Sequence, residues 1–279
     1  MFKKQIAVLA VACAMIVCIG CSHQNTPTIT GVTNDDNSSP GTIVTYPDYS
    51  GTESDFPAPL KMPVISIQEI QRLMKPGLAK KNMEWKYVYK GDEYFPNSPG
   101  SQLNPSWLAP YPSWSLGQFP GDNRKVLRFD HPNCPTPAVC TAFGELRNCH
   151  VWSIVRALDP QVAPYSFPCV IARYRTIDGQ KNFYEVMLTH DYIYLFKIIN
   201  GLQYKIGKKE FTPKKDTWYC LAITCLEDFI IGQVANPENG ETIEFCTATD
   251  GGVCQGYTGM KTAKEGYFLQ HAVYEMVLE

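Results

Sequence analysis

From Arg124 to Glu279 the chain is written in short runs that alternate apolar and polar residues, with turn residues between them. This period of two restricts the fold more than any other feature, because alternate residues of a strand point to opposite faces. Residues 125–130 alternate, and residues 149–157 do so more clearly: Cys149, Val151, Ser153 and Val155 share one face, His150, Trp152, Ile154 and Arg156 the other. Further strands are expected over 169–176, 182–189, 192–199, 202–206, 217–227, 229–235, 241–246 and 271–278. Asn200-Gly201 reads as a hairpin turn, since both residues tolerate positive φ. So many short strands with no long helix between them predict an all-β fold, an antiparallel sandwich.

The first 123 residues read differently. Met1-Phe2-Lys3-Lys4 gives a basic start, residues 6–19 carry no charge, and Ile19-Gly20-Cys21 closes the run with a small residue before a cysteine. The apolar run is too short to span a bilayer and stay there, so the pattern reads as a secretory signal over 1–20. Residues 21–61, rich in Thr, Ser, Asn, Asp, Gly and Pro, lack the apolar surface to offset ordering and read as a disordered tether. Residues 62–123 form an N-terminal extension on the sandwich. In it, Ser66-Ile67-Gln68-Glu69 is a capping-box pattern opening one short helix that Pro76-Gly77 ends, and an irregular Trp-, Tyr- and Pro-rich segment follows.

The basic, apolar, small-residue order resembles a bacterial lipoprotein signal, with Cys18 where such signals usually have Leu. The resemblance implies that Cys21 is lipidated. It also implies a protein anchored in a bacterial cell envelope, at the outer membrane or cell surface, since no Asp follows Cys21. Removing residues 1–20 takes two lysines and no acid, leaving 23 basic against 27 acidic residues, net −4. With no Lys/Arg run, nucleic acid is not an expected partner. Eight cysteines follow Cys21: 134, 140, 149, 169, 220, 225, 246 and 254. In an oxidising compartment an even number suggests disulfides, with Cys134–Cys140 and Cys246–Cys254 as possible local staples, while buried free thiols are the competing reading. Cys149-His150 lacks a C-x-x-C companion, so zinc is not expected.

The runs Cys169-Val-Ile-Ala-Arg-Tyr-Arg, Lys181-Asn-Phe-Tyr-Glu-Val-Met-Leu, Tyr192-Ile-Tyr-Leu-Phe-Lys-Ile-Ile-Asn-Gly201 and Asp216-Thr-Trp-Tyr-Cys-Leu-Ala-Ile-Thr resemble the concanavalin A-like lectin/glucanase superfamily, particularly laminin G-like jelly-roll domains. Thr249-Asp250, Gly256-Tyr-Thr-Gly259 and residues 271–278 are similar to the closing elements of that family. Leu269-Gln270-His271-Ala272 replaces its usual Phe-Asp-Asn. The resemblance covers residues 124–279 and implies a concanavalin A-like jelly-roll. This fold hosts lectins, hydrolases, lyases and interaction modules alike.

Chemistry narrows the choice. Glycoside hydrolysis needs two carboxylates about 5 to 9 Å apart. The Glu-x-Asp-x-x-Glu run that supplies them in the glucanase branch is missing, and Glu241-Thr-Ile-Glu244 puts its acids on opposite faces. Glu145 and Arg147 read as surface charges. An enzyme is therefore not the leading expectation. The alternative is a glycoside hydrolase of the 3-keto-disaccharide or diverged glucanase type, and a further alternative is a structural or protein-interaction module of the envelope. The leading expectation is a non-catalytic carbohydrate-binding module. Family-like packing puts Tyr219, Leu221, Ile223, Cys225, Val151 and Val155 inside. His150, Trp152, Arg156, Arg173, Arg175, Glu185, Tyr192 and Tyr194 then form the candidate ligand-binding face. A cross-strand charge ladder is the competing reading of that set. By the same parity, Cys149 and Cys225 face the core while Cys169 and Cys220 lie on the outer face, and interstrand disulfides pair within these sets. No cofactor is expected; calcium at His190-Asp191 has one carboxylate of the about six oxygens it takes.

Overall fold

Alternating Val, Ile, Tyr and Thr suit a pleated surface that is buried on one side, and they are used that way throughout the computed structural model. It describes residues 67–73, 83–90, 107–108, 114–118, 125–130, 137–141, 144–161, 163, 166–262 and 264–278. Cys21, the signal, the tether, the staple Cys134 and the capping Ser66 lie outside these. One helix, α1 (Ile67–Leu73), precedes the strands β1 (Met83–Lys90), β2 (Trp107–Leu108), β3 (Trp114–Gln118), β4 (Lys125–Asp130) and β5 (Ala138–Cys140). Then come β6 (Cys149–Ala157), β7 (Cys169–Ile177), β8 (Gln180–Leu188), β9 (Tyr192–Ile199) and β10 (Leu202–Glu210). The series ends with β11 (Thr217–Leu226), β12 (Phe229–Ala235), β13 (Thr242–Thr249), β14 (Tyr257–Lys261) and β15 (Glu265–Leu278). Among the described residues no helix is long and apolar enough to cross a membrane.

The strands form an antiparallel jelly-roll β-sandwich. One sheet has eight strands in the order β13-β12-β11-β6-β15-β4-β3, and β1 also pairs with β15. The other has seven, in the order β10-β9-β8-β7-β14-β5-β2. β15 binds β6 along one edge. Along its other edge it binds β4 through residues 265–268 and β1 through residues 272–278. Two hairpins of the seven-stranded sheet turn on a pair of positive-φ residues, Asp178-Gly179 (50° and 75°) and Asn200-Gly201 (51° and 78°). That backbone matches the twist of the flanking strands, and Gly adopts it without strain.

The two sheets enclose the main core. Val151, Val155, Leu221, Ile223, Tyr184, Val186, Leu195 and Phe268 are all fully buried there. Each such aliphatic or aromatic side chain contributes about 1.5–3 kcal/mol on burial. The outer face of the eight-stranded sheet is buried as well. Ile70 of α1 packs on Leu226, Phe229, Ile231 and Met276, and beside them Trp152, Ile154, Cys220, Ala222, Ala235 and Ala272 form another buried cluster.

The seven described cysteines are free thiols, so the disulfide expectation is not met among them. The reason for one pair is topological: Cys169 and Cys220 are both outward, but on different sheets, with the whole core between them. Cys246 is buried in β13 whereas Cys254 is exposed in the loop before β14.

Candidate functional site

The eight residues expected to share one face are divided by the structure among three places. His150, Trp152 and Arg156 alternate along β6 on the outer side of the eight-stranded sheet, as their parity requires, but that side is not open. His150 is 1% and Trp152 3% exposed. The His150 ring packs 5.5 Å from Trp85, its Nδ1 shares a hydrogen bond of 2.8 Å with Thr224 Oγ1, and burial lowers its pKa to about 3, leaving it neutral. Arg156 lies over Trp218, 5.4 Å from the ring centroid, with Asp216 4.0 Å away.

Arg173 and Arg175 are displaced by a bulge. The ladder runs from Ala172↔Tyr184 directly to Arg175↔Asn182, so two residues of β7 stand opposite one of β8. Arg173 takes φ 56° there and turns into the core, fully buried. Its Nε donates to the Arg147 carbonyl at 2.7 Å and its Nη1 to that of Val253 at 3.0 Å. Arg175, past the bulge, carries the parity of Tyr184 and not that of Glu185. The expected outward pair of arginines is thus corrected: an extra residue in a strand reverses every face assignment beyond it.

Glu185, Tyr192 and Tyr194 do come together, on the outer face of the seven-stranded sheet, with residues the sequence reading missed. β9 presents Tyr192, Tyr194 and Phe196 at alternate positions, their rings 5.4 Å apart in succession, tilted by 43° and 31°. All three are partly exposed. The register set by Asn200-Gly201 places Lys205 beside Phe196, and a bulge between Lys205 and Gly207 then shifts it so that Lys208 stands beside Tyr194. Lys208 Nζ sits 3.7 Å from the Tyr192 ring centroid and Lys205 Nζ 6.0 Å from that of Tyr194. Ile171, Phe183 and Ile198 form a buried cluster on the same face, at the Phe196 end of the strip, and Phe196 packs against it. Beside it, the fully buried Glu185 accepts from Gln203 Nε2 at 2.6 Å and from Lys261 Nζ at 2.7 Å. The signal for Phe196 was present in the period of β9 and that for Lys205 in the hairpin, whereas Lys208 is placed by the bulge after Lys205. Lys261 comes from β14, which no local pattern placed here.

This face is suited to holding a flat, polar-edged molecule. Aromatic rings offer apolar surface with hydroxyl tips, and ammonium groups over them supply donors. It is poorly suited to glycoside hydrolysis. Both Glu185 oxygens are engaged out of solvent. Among the described residues Glu210, a further acid of this face, pairs with Tyr192, four residues along β9 from the Phe196 that faces Glu185. That is about 13 Å at the rise of a strand, too far for two carboxylates to flank one bond. Elsewhere, a cavity of about 230 Å³ opens between Arg147, Glu227, Asp228, Gly251 and Cys254, with Arg147 ion-paired to Glu227. Glu145 is exposed and accepts from Gln255. Asp191 is exposed, and among the described residues no group of three His, Cys, Asp or Glu is arranged to hold a metal ion.

No protein-family model matches the chain, and no curated protein matches it in sequence. Solved structures with a similar course of the chain include the carbohydrate-binding module CBM66 from Bacillus subtilis. It is 15% identical, with 61% of this chain and 92% of that one covered, at a TM-score of 0.42. A Bacillus subtilis protein of unknown function with a galectin-like fold is 11% identical over 70% of this chain and 100% of that one, at a TM-score of 0.48. The winged bean acidic lectin, complexed with methyl-α-D-galactose, is 8% identical over 71% of this chain and 100% of that one, at a TM-score of 0.45. These likenesses concern the path of the chain and give no residue a role.

Proposed function

We propose that the protein is a non-catalytic glycan-binding module that uses the outer face of the seven-stranded sheet. In this reading it is displayed at a bacterial cell envelope by a lipid on Cys21. The observation that carries the binding role is the strip Tyr192–Tyr194–Phe196, partly exposed, with Phe196 against the buried Ile171–Phe183–Ile198 cluster, and flanked by Lys205, Lys208 and the Gln203–Glu185–Lys261 cluster. Rings held in a row by β9 are preorganised, so stacking a sugar on them orders little else. The lysine and glutamine donors serve hydroxyl or carboxylate oxygens at the edges of the sugar ring. Anchoring rests on the sequence of residues 1–21 alone.

Binding is tested on an array of neutral and acidic polysaccharides, using the full chain with Cys21→Ser, which alters none of the described residues. Saturable binding should weaken about tenfold in Tyr194→Ala and in Phe196→Ala, as expected for stacking contacts worth roughly 1–1.5 kcal/mol. A folded sample that binds no polysaccharide, or one whose affinity ignores both substitutions, overturns the proposal. Anchoring is tested separately by incorporation of labelled fatty acid in a bacterial host. Label should enter the wild-type chain and be absent from Cys21→Ser; an unlabelled wild type refutes the anchor.

A further inference from the structure

Cys149 and Cys225 are directly opposite one another in the ladder between β6 and β11, both fully buried and both turned into the core. Directly opposed residues of antiparallel strands have Cα atoms about 4.5–5.5 Å apart, inside the span of about 4.4–6.8 Å that a disulfide bridges. Across the ladder the two sulfurs are neighbours, and each affects the acidity of the other. Arg173 stands against the pair from the other sheet. Its guanidinium is always charged and, at 0% exposure, is withdrawn from bulk solvent. Two of its nitrogens are satisfied by carbonyls, but Nη2 is buried with no oxygen or nitrogen partner. The positive charge acts on both sulfurs. Burial pushes the Cys225 thiol up, yet Cys149 and Arg173 outweigh it and bring Cys225 below the usual thiol range, whereas Cys149 stays well above it.

We propose that Cys149 and Cys225 are a reversible redox site, closing a cross-strand disulfide between β6 and β11, and that Arg173 poises it by stabilising the reduced pair. The oxidant is a disulfide, of protein or small thiol. The Cys225 thiolate attacks one of its sulfurs and expels one thiolate, forming a mixed disulfide. Cys149 then loses its proton to water and attacks the Cys225 sulfur, expelling the second thiolate. Two protein thiols are oxidised and one external disulfide is reduced to two thiols. Because both sulfurs are sealed, exchange requires a local opening at β6 and β11, and the rate tracks that opening. Oxidation abolishes the Cys225 thiolate form that Arg173 stabilises, so the arginine favours the reduced pair, the logic by which a stabilised reduced form makes a disulfide more oxidising.

The test is a redox titration of the full chain in glutathione buffers, quenched with an alkylating agent and mapped by peptide mass spectrometry. A peptide joining Cys149 to Cys225 is expected in the oxidised buffer and is lost in Cys149→Ser. In Arg173→Met the ratio of oxidised to reduced pair should rise about tenfold at a fixed buffer, the equivalent of one pKa unit. Arg173→Lys keeps the charge and should stay closer to wild type, which also covers the case in which the methionine variant fails to fold. If Cys149 and Cys225 remain fully alkylated in oxidised glutathione under conditions that permit opening, the redox site is refuted. If the crosslink forms but neither Arg173 variant shifts the ratio, the role given to Arg173 is refuted. The titration involves no sugar, so its outcome is independent of the glycan-binding proposal.

Discussion

Lys261 reaches across β7 from β14 to place its ammonium 2.7 Å from the Glu185 carboxylate on β8, which is entirely out of solvent. Burial lowers the lysine pKa, but the Glu185 charge, with Cys169 and the hydrogen bond to Glu185, outweighs it, and the net shift is upward. A raised lysine pKa contributes stability that is complete below the ordinary value of 10.5 and is lost as pH rises through the higher folded value. Lys261→Met leaves the carboxylate buried without its cation and should cost about 3–5 kcal/mol. Urea unfolding at pH 7 measures it; a loss below about 1 kcal/mol would show that Gln203 alone suffices for Glu185.

His150 and His271 both have their pKa lowered to about 3 by burial. An unfolded chain takes up protons on both as pH drops below 6.5, whereas the native protein does not, so stability falls as the solution is acidified from pH 7 toward 3. At pH 5 each histidine should have removed about 2 kcal/mol. Denaturant midpoints at pH 7 and pH 5 should differ accordingly, and His271→Gln should flatten the dependence by about half. Equal stability at the two pH values would mean that neither ring is kept neutral by burial, and half the expected difference that only one is.

Tyr184 sends its hydroxyl through the core to the loop after β13. There it donates to the Asp250 carboxylate (2.6 Å) and carbonyl (2.9 Å) and accepts from the Val253 amide at 3.0 Å. Tyr184→Phe leaves the buried Val253 amide without an acceptor and should cost about 1–3 kcal/mol. Hydrogen exchange at Val253 should accelerate more than exchange at Leu221 in the core. Uniform acceleration would instead indicate a global loss.

Gly259 lies where β14 runs between β7 and β5, and an added Cβ would stand 2.3 Å from the Ala138 carbonyl oxygen. Backbone cannot yield as a flexible side chain does, so Gly259→Ala should destabilise by about 3 kcal/mol or more. Gly117→Ala in β3, where nothing lies within 4 Å, is the matched control. Thermal denaturation should separate the two substitutions clearly, and similar midpoints would refute the steric argument.

Much of the sandwich could be read from residues 149–278 because period two is a local property. Val151, Val155, Leu221 and Ile223 face the core as their parity requires, and Asn200-Gly201 turns a hairpin. What escaped the sequence is non-local or conformational. No propensity signals that Arg173, a residue with a Cβ, will adopt positive φ, and that single departure relocates two candidate residues. Parity likewise tells which side of a sheet His150 and Trp152 take, but not whether that side is covered. It cannot say that the outward faces of Cys169 and Cys220 belong to different sheets. Of the candidate face, Tyr192, Tyr194 and Glu185 were legible; Lys261 was not, because only the crossover that sets β14 beside β7 brings it near.

The arrangement of β15 bears on the order in which the protein can be built. Three strands separated widely in the chain, β1, β4 and β6, take it as ladder partner, and it is the last of the described strands to leave the ribosome. Until it emerges, β1 has no described ladder partner at all, and β3-β4 form a ribbon detached from β6. Loop closure between residues near 85 and near 275 must then come late. This keeps the eight-stranded sheet open during elongation, and its locking waits for β15.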